Sequence, residues 1–330
     1  MYKRQKIDYI IANHAEQDHS GSIPKVLELY PEAKVVTNSK CKSMLMDLLL
    51  IPVDKFITIN DGDTLSLGDK TLEFIFTPWV HWPETMVTYL REDKILFTCD
   101  FLASHVATSD LYVTDERRVY LAAKRYYAEI MMPFAAMIRK HLEKIEKLDV
   151  EIIAPSHGPL YDKPEFIINA YKDWTSNKVK NEVVIVYVSM HGTTKKMVQY
   201  LVNALIERDI TVKLFNLTKT DIGELAMALV DTATIVIASP TVLFGPHPLA
   251  VYATYLANML KPKLKFATVI GSYGWGGKMV EQIKGMVPNL KAEILEPVVI
   301  KGYPKKETLK ALDTLAETIQ KKHLELGIIK

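Results

Sequence analysis

Val183-Val184-Ile185-Val186-Tyr187-Val188-Ser189-Met190-His191-Gly192-Thr193-Thr194-Lys195-Lys196-Met197 begins as a run of β-prone apolar residues. It turns on a hydroxyl- and glycine-bearing stretch and continues into residues that favour helix. A strand that is apolar without alternation is buried on both faces, as in a parallel sheet covered by helices. The rhythm repeats downstream. Strand-like runs at 212–217, 233–238, 266–270 and 294–300 alternate with amphipathic stretches at 194–207, 221–230, 248–260, 278–287 and 305–324. Five such units predict a doubly wound parallel sheet whose ligand sits beyond the carboxyl ends of its strands.

Upstream, residues 1–175 are less regular. Strands are expected at 7–12, 35–37, 56–59, 72–77, 86–90, 95–98 and 151–154, with a helix at 22–30 and one long helix over 118–147. This mixture predicts an αβ sandwich. The short polar segment 174–181 reads as a linker, which divides the chain into domains 1–177 and 178–330. No internal repeat or low-complexity tract is present.

Composition removes several classes of function. The 330 residues are 48% hydrophobic and 24% charged, with a net charge of +2. That length suits two domains of ordinary size. No basic tract interleaved with aromatics supports nucleic-acid binding, and no apolar run is long enough to cross a bilayer. The basic residues at the start precede too short an apolar stretch for a signal peptide, so a cytoplasmic location is expected. The two cysteines, Cys41 and Cys99, form no Cys-x-x-Cys pair. A four-thiolate rubredoxin or iron–sulfur module is therefore excluded from this chain.

The first half carries the densest chemistry: Asn13-His14-Ala15-Glu16-Gln17-Asp18-His19-Ser20-Gly21 at the end of an apolar strand. His14, Glu16 and Asp18 alternate, so an extended segment turns them to one side. His81, Asp100 and His157 each follow a strand-like run and can gather at the same edge. His105 and His141 lack such context and read as surface or supporting residues. In the second half, Ser189 to Thr194 form a turn entering a helix, which can cradle a phosphate with backbone N–H groups and hydroxyls. Thr193 or Thr194 could equally serve only as a helix cap. Two further loops end strands where a flavin ring would lie: Ser239-Pro240-Thr241-Val242-Leu243-Phe244-Gly245 and Gly271-Ser272-Tyr273-Gly274-Trp275-Gly276-Gly277. Tyr273 or Trp275 could flank the ring, or Trp275 could pack a domain interface. No GxGxxG fingerprint is present.

The string H-x-E-x-D-H, with the later His81, Asp100 and His157, resembles the flavodiiron proteins (A-type flavoproteins), and the resemblance covers nearly the whole chain. It implies a metallo-β-lactamase-like αβ/βα sandwich followed by a flavodoxin-like domain, holding two non-heme irons and FMN. His14, Glu16 and His81 would bind one iron and Asp18 and His157 the other, with Asp100 bridging. The residue at the place of His19 coordinates in some members and is turned away in others. Hydrolases of the same fold read H-x-H-x-D-H and usually hold zinc; Glu16, a harder anionic ligand, shifts preference toward iron. The loop Gly271–Gly277 looks like the family's third flavin loop, whereas Leu243 and Phe244 stand where relatives carry asparagines.

The resemblance further implies reduction of dioxygen to water or of nitric oxide to nitrous oxide. Reduced flavin and a diferrous pair together hold the four electrons dioxygen needs. An external donor, a rubredoxin or a reduced deazaflavin, would supply them, in a head-to-tail homodimer or a tetramer built from dimers, with Trp275 near the contact. Family members carry a strand-rich stretch before this ligand loop, which here begins at residue 14. A misassigned start is the expectation, leaving the first sheet shortened. Two rivals are a zinc hydrolase fused to a flavodoxin and a flavodoxin-like electron carrier beside an inactive domain.

Overall fold

The structure is a computed structural model that describes residues 6–329. The chain divides into two compact units. One runs up to Tyr126 and resumes over Phe134–Thr175; the other comprises Tyr127–Pro133 and the chain from Ser176 onward.

In the first unit, strands Tyr9–Ile11, Lys34–Asn38 and Phe56–Ile59 form a parallel three-stranded sheet. Strands Thr64–Ser66, Thr71–Phe76, Met86–Leu90, Ile95–Cys99 and Ile152–Pro155 form a second sheet, antiparallel except for its last pair. Val36 and Ile59 of the small sheet pack against Leu72, Phe74 and Met86 of the large one, which closes a buried sandwich core. The outer face of the small sheet is covered by helices Ile23–Leu29 and Ser39–Leu49 through Ile23, Leu27, Val35, Cys41 and Leu45. The αβ sandwich read from the sequence is the fold observed. Asn13 ties the two sheets together. Its carbonyl accepts from the Met86 N–H at 3.0 Å, and its side chain accepts from Thr88 Oγ1 at 2.7 Å. The ligand-rich loop therefore leaves the small sheet anchored to the large one.

Three local expectations change. The helix expected over 118–147 is broken into Glu116–Tyr126, a π-helical turn Tyr127–Met131, a 3₁₀ turn Met132–Phe134 and Ala135–Ile145. Pro133 lacks the N–H that an unbroken helix needs. The π-helical turn packs on helices Ile222–Leu229 and Pro248–Leu260 of the second unit. The linker is shorter than read, because helix Pro164–Thr175 claims Trp174 and Thr175, both buried, and strand Lys180–Tyr187 claims Lys180 and Asn181. Helix Ser39–Leu49, absent from the sequence reading, is capped by Asn38, whose side chain accepts from the N–H groups of Lys40 and Cys41.

The second unit is the doubly wound sheet. Thr211–Asn216 pairs with Lys180–Tyr187, which pairs with Thr232–Val242 and then Phe266–Tyr273, all parallel. The fifth strand, expected over 294–300, is split into Glu293–Ile294 and Val298–Lys301. Pro297 between them cannot donate to the ladder. The order is thus 2-1-3-4-5, and helices bury apolar side chains on both faces.

His323, on the helix Lys306–Glu325, is fully buried in this unit. Its Nδ1 faces Asn181 Oδ1 at 2.8 Å and its Nε2 faces Thr234 Oγ1 at 2.7 Å. Burial lowers this imidazole to about 4. Between pH 6.5 and 4 the unfolded chain therefore binds a proton that the folded chain refuses, so stability falls as pH drops through that window. The loss at full span is about 3 kcal/mol. Thermal melts of the protein and of His323→Gln across pH 7 to 4 should show the difference. The variant should lose the part of the acid slope that lies in this window, and an unchanged slope would refute the assignment.

Candidate metal centre and flavin site

Asp100 lies just beyond strand Ile95–Cys99, buried, with its two carboxylate oxygens facing different partners. Oδ2 lies 3.4 Å from His14 Nε2 and 3.4 Å from His81 Nε2. Glu16 Oε2 completes that group, 3.2 Å from each of the same two nitrogens. Oδ1 instead lies 3.1 Å from His19 Nε2 and 3.3 Å from His157 Nε2. Asp18 joins this second group at 3.5 Å from His19 and 3.2 Å from His157. All seven residues singled out in the sequence thus converge, as two sets sharing one carboxylate.

The donor chemistry fits metal ions. Glu84 Oε1 takes the Nδ1–H of His14 at 2.7 Å, which leaves the His14 Nε2 lone pair aimed at the oxygens of Glu16 and Asp100. Lone pair against lone pair at such distances is repulsive unless a cation lies between them. In the second set, Nε2 of His19 and Nε2 of His157 face each other at 3.4 Å. Burial alone would lower the His19 imidazole, but its hydrogen bonds to Asp100 and Cys99 prevail and raise it to about 10. Burial likewise works to raise the Asp100 carboxyl, and the histidines around it win, holding it far below the usual carboxylate range. The site demands positive charge. Imidazole and carboxylate ligands without thiolates suit iron, with open positions for a small ligand.

Several supporting residues went unread in the sequence. Glu84 is fully buried, and its Oε1 also accepts from the Ala15 N–H at 3.0 Å. Burial opposes its ionisation, but the bonds from His14 and Ala15 hold the carboxyl below its ordinary value. Its only sequence signal was an acid three residues past His81. Cys99 Sγ lies 3.6 Å from His19 Nδ1. The His105 ring stacks on His157 at 4.1 Å, with a ring nitrogen within 4.8 Å of Asp100 and His157 ligand atoms, and His141 Nε2 contacts the Pro78 carbonyl at 2.9 Å. A cavity of about 370 Å³ opens beside the centre, bounded by His14, Asp18, His19 and His157 and by the apolar Ile10, Ile11 and Ile23.

In the second unit a cavity of about 430 Å³ lies at the carboxyl ends of the parallel strands. Ser189, Met190, His191, Thr193, Thr194, Pro240, Thr241, Val242, Ser272, Tyr273 and Gly274 line it, joined by Gly302 and Tyr303, which had no place among the expected loops. Four other expected residues do not line it. Ser239 is buried, donating to the Pro240 carbonyl and accepting from the His247 N–H. Gly192 caps helix Thr193–Ile206 in the left-handed region at φ +86°. Trp275, 72% exposed, packs edge-on against Phe244 at 4.6 Å, and Gly276 follows it. The cradle fits a flavin phosphate: hydroxyls and free N–H groups meet at a helix N-terminus. A Cβ at Gly192 or Gly274 would meet no atom within 4 Å, so neither glycine is demanded by packing inside the chain.

These two sites define a class, a redox flavoprotein with a two-metal centre. Residues 1–158 match the family model described as ODP family beta lactamase, and residues 185–313 match the flavodoxin model. The chain is 33% identical over 323 residues to the nitric oxide reductase of Moorella thermoacetica, covering 95% of this chain and 80% of that one. It is 31% identical to a coenzyme F420H(2) oxidase of Methanothermobacter marburgensis, covering 84% of this chain and 72% of that one. The solved rubredoxin oxygen:oxidoreductase from Desulfovibrio gigas matches it with a TM-score of 0.93 at 27% identity, over 98% of this chain and 82% of that one. The chain belongs to the flavodiiron family of oxidoreductases. Its cofactors are FMN and a non-heme diiron centre.

Gly192→Val tests the cradle. A β-branched residue at this φ is strained by roughly 1–2 kcal/mol or more, which predicts about tenfold weaker retention of FMN. Flavin content after dialysis should fall while iron content stays at the wild-type level. Full flavin retention would remove Gly192 from the phosphate turn.

Proposed function

We propose that this oxidoreductase reduces a diatomic gas, dioxygen to water or nitric oxide to nitrous oxide, at the centre bridged by Asp100. His14, Glu16 and His81 would hold one iron, and Asp18, His19 and His157 the other. The observation that carries this reading is the division of the Asp100 carboxylate, one oxygen to each set. The bound groups supply electrons, two from reduced FMN and two from a diferrous pair, matching the four that dioxygen requires.

The chain's own residues prepare the site. Buried His14 and Asp100 fix the interior side, while Asp18 and Glu16 keep side-chain exposures of 51% and 38% toward solvent. In the second unit, Ser189, Thr193, Thr194 and the N–H groups beyond Gly192 would take the flavin phosphate, and Thr241 and Tyr273 would line the place of the ring. The metal domain is assigned to 1–177 and the flavin domain to 178–330, with the turn 127–133 packed on the latter.

Electrons enter from an external donor. The relatives' names specify rubredoxin for one and the reduced deazaflavin F420H(2) for another, and either class serves here. A head-to-tail homodimer, or a tetramer of such dimers, would bring the flavin of one chain to the irons of another, with exposed Trp275 and Phe244 near the contact. Among the described residues no helix is long and apolar enough to cross a membrane, and both cysteines are free thiols. These features support a cytoplasmic enzyme.

Iron-loaded, FMN-replete protein should be turned over in parallel with dioxygen and with nitric oxide under one reductant. The faster of the two names the substrate, and failure with both rejects the proposal. Asp100→Asn should lower iron below the wild-type content and reduce turnover at least a hundredfold, because a neutral amide bridges two cations poorly. Full iron and full rate in that variant would overturn the ligand assignment.

A further inference from the structure

We infer that Glu84 makes the His14–Glu16–His81 site the tight iron site, leaving Asp18–His19–His157 as the one that releases its metal first. This rests on the ligand assignment proposed above. The two sets share a bridge and similar ligands, so a difference must come from what stands behind them.

Behind His14 stands a carboxylate. Its Oε1 lies 2.7 Å from Nδ1, and both side chains have no exposure to solvent. An anion that takes the Nδ1–H fixes the tautomer, orients the ring and makes Nε2 a stronger donor to a metal. Glu84 is itself held in place. The Ala15 N–H binds the same oxygen, and Asn38 Nδ2 donates to its backbone carbonyl at 2.6 Å. The Trp82 ring lies edge-on to His14 at 4.9 Å, which limits rotation of the imidazole.

Behind the second set the support is weaker. His19 Nδ1 meets only the sulfur of Cys99, at 3.6 Å, and sulfur is a poor hydrogen-bond acceptor. His157 is steadied by stacking on His105 rather than by an anion. Its set is also somewhat wetter: Asp18, His157 and His19 keep 51%, 25% and 10% of their side-chain surface, against 38%, 15% and none for Glu16, His81 and His14. Water and a chelator reach this side sooner.

The test is anaerobic removal of ferrous iron from the holoprotein by a chelator, with Mössbauer spectra of the iron that remains. Two irons per chain should leave in two phases at least tenfold apart, and Asp18→Asn should abolish the fast phase while keeping the slow one. Glu84→Gln should speed the slow phase 10- to 100-fold and leave the fast phase alone. Cys99→Ala, which also perturbs a buried position beside the site, should not change the slow phase. Fewer than two irons in the wild type would overturn the ligand assignment and this inference with it. Two irons leaving in a single phase would overturn the inference alone. So would Glu84→Gln that spares the slow phase, or that speeds both phases equally as a loosened fold would.

Discussion

A single buried carboxylate organises the metal half of this protein. Asp100 sits where strand Ile95–Cys99 ends, and its two oxygens each meet a separate pair of imidazoles. An anion in that position is tolerable only with compensating positive charge, since an uncompensated buried charge is among the most destabilising features a fold can hold. The sandwich makes the arrangement possible. Strand ends from both sheets deliver their loops to one edge, and Asn13 ties the loop bearing His14 to the strand that begins at Met86. Geometry at the centre is thus inherited from the packing of Val36, Phe74 and Met86 between the sheets.

The flavin half solves a different problem. An FMN phosphate needs donors without bulk, and the left-handed turn at Gly192 would open the N-terminus of helix Thr193–Ile206 to it. The strand order 2-1-3-4-5 places the loops after the first, third and fourth strands around one cavity. Tyr303, from the loop after the fifth strand, closes another wall, held by Lys196 at 2.9 Å. Both sites therefore follow one rule. Rigid strands end together, and the loops beyond them carry the chemistry.

Some parts of this were open to reading and others were not. The run Val183–Val188, the turn Ser189–Thr194 and the cluster His14–His19 carry their meaning within a few residues, so period and residue type sufficed. Helix breaks at Pro133 and the split strand at Pro297 had local signals that longer apolar patterns masked. Glu84 had none. A glutamate among ordinary residues says nothing of its burial or of the imidazole 70 positions away that it holds.

From the sequence alone came the parallel sheet and the seven candidate metal ligands, which rest on short-range periodicity and residue chemistry, while the β-lactamase-like sandwich and the ligands' roles came from the resemblance to flavodiiron proteins. Only the tertiary structure put His19 beside Asp18 and His157, and gave the division about Asp100 that the resemblance implies its distances. It also revealed which groups stand behind those ligands, and that Ser239 is buried in the loop's own hydrogen bonds while Gly302 and Tyr303 face the cavity. Those outcomes depend on distances between atoms far apart in the chain, which packing fixes and local pattern does not encode.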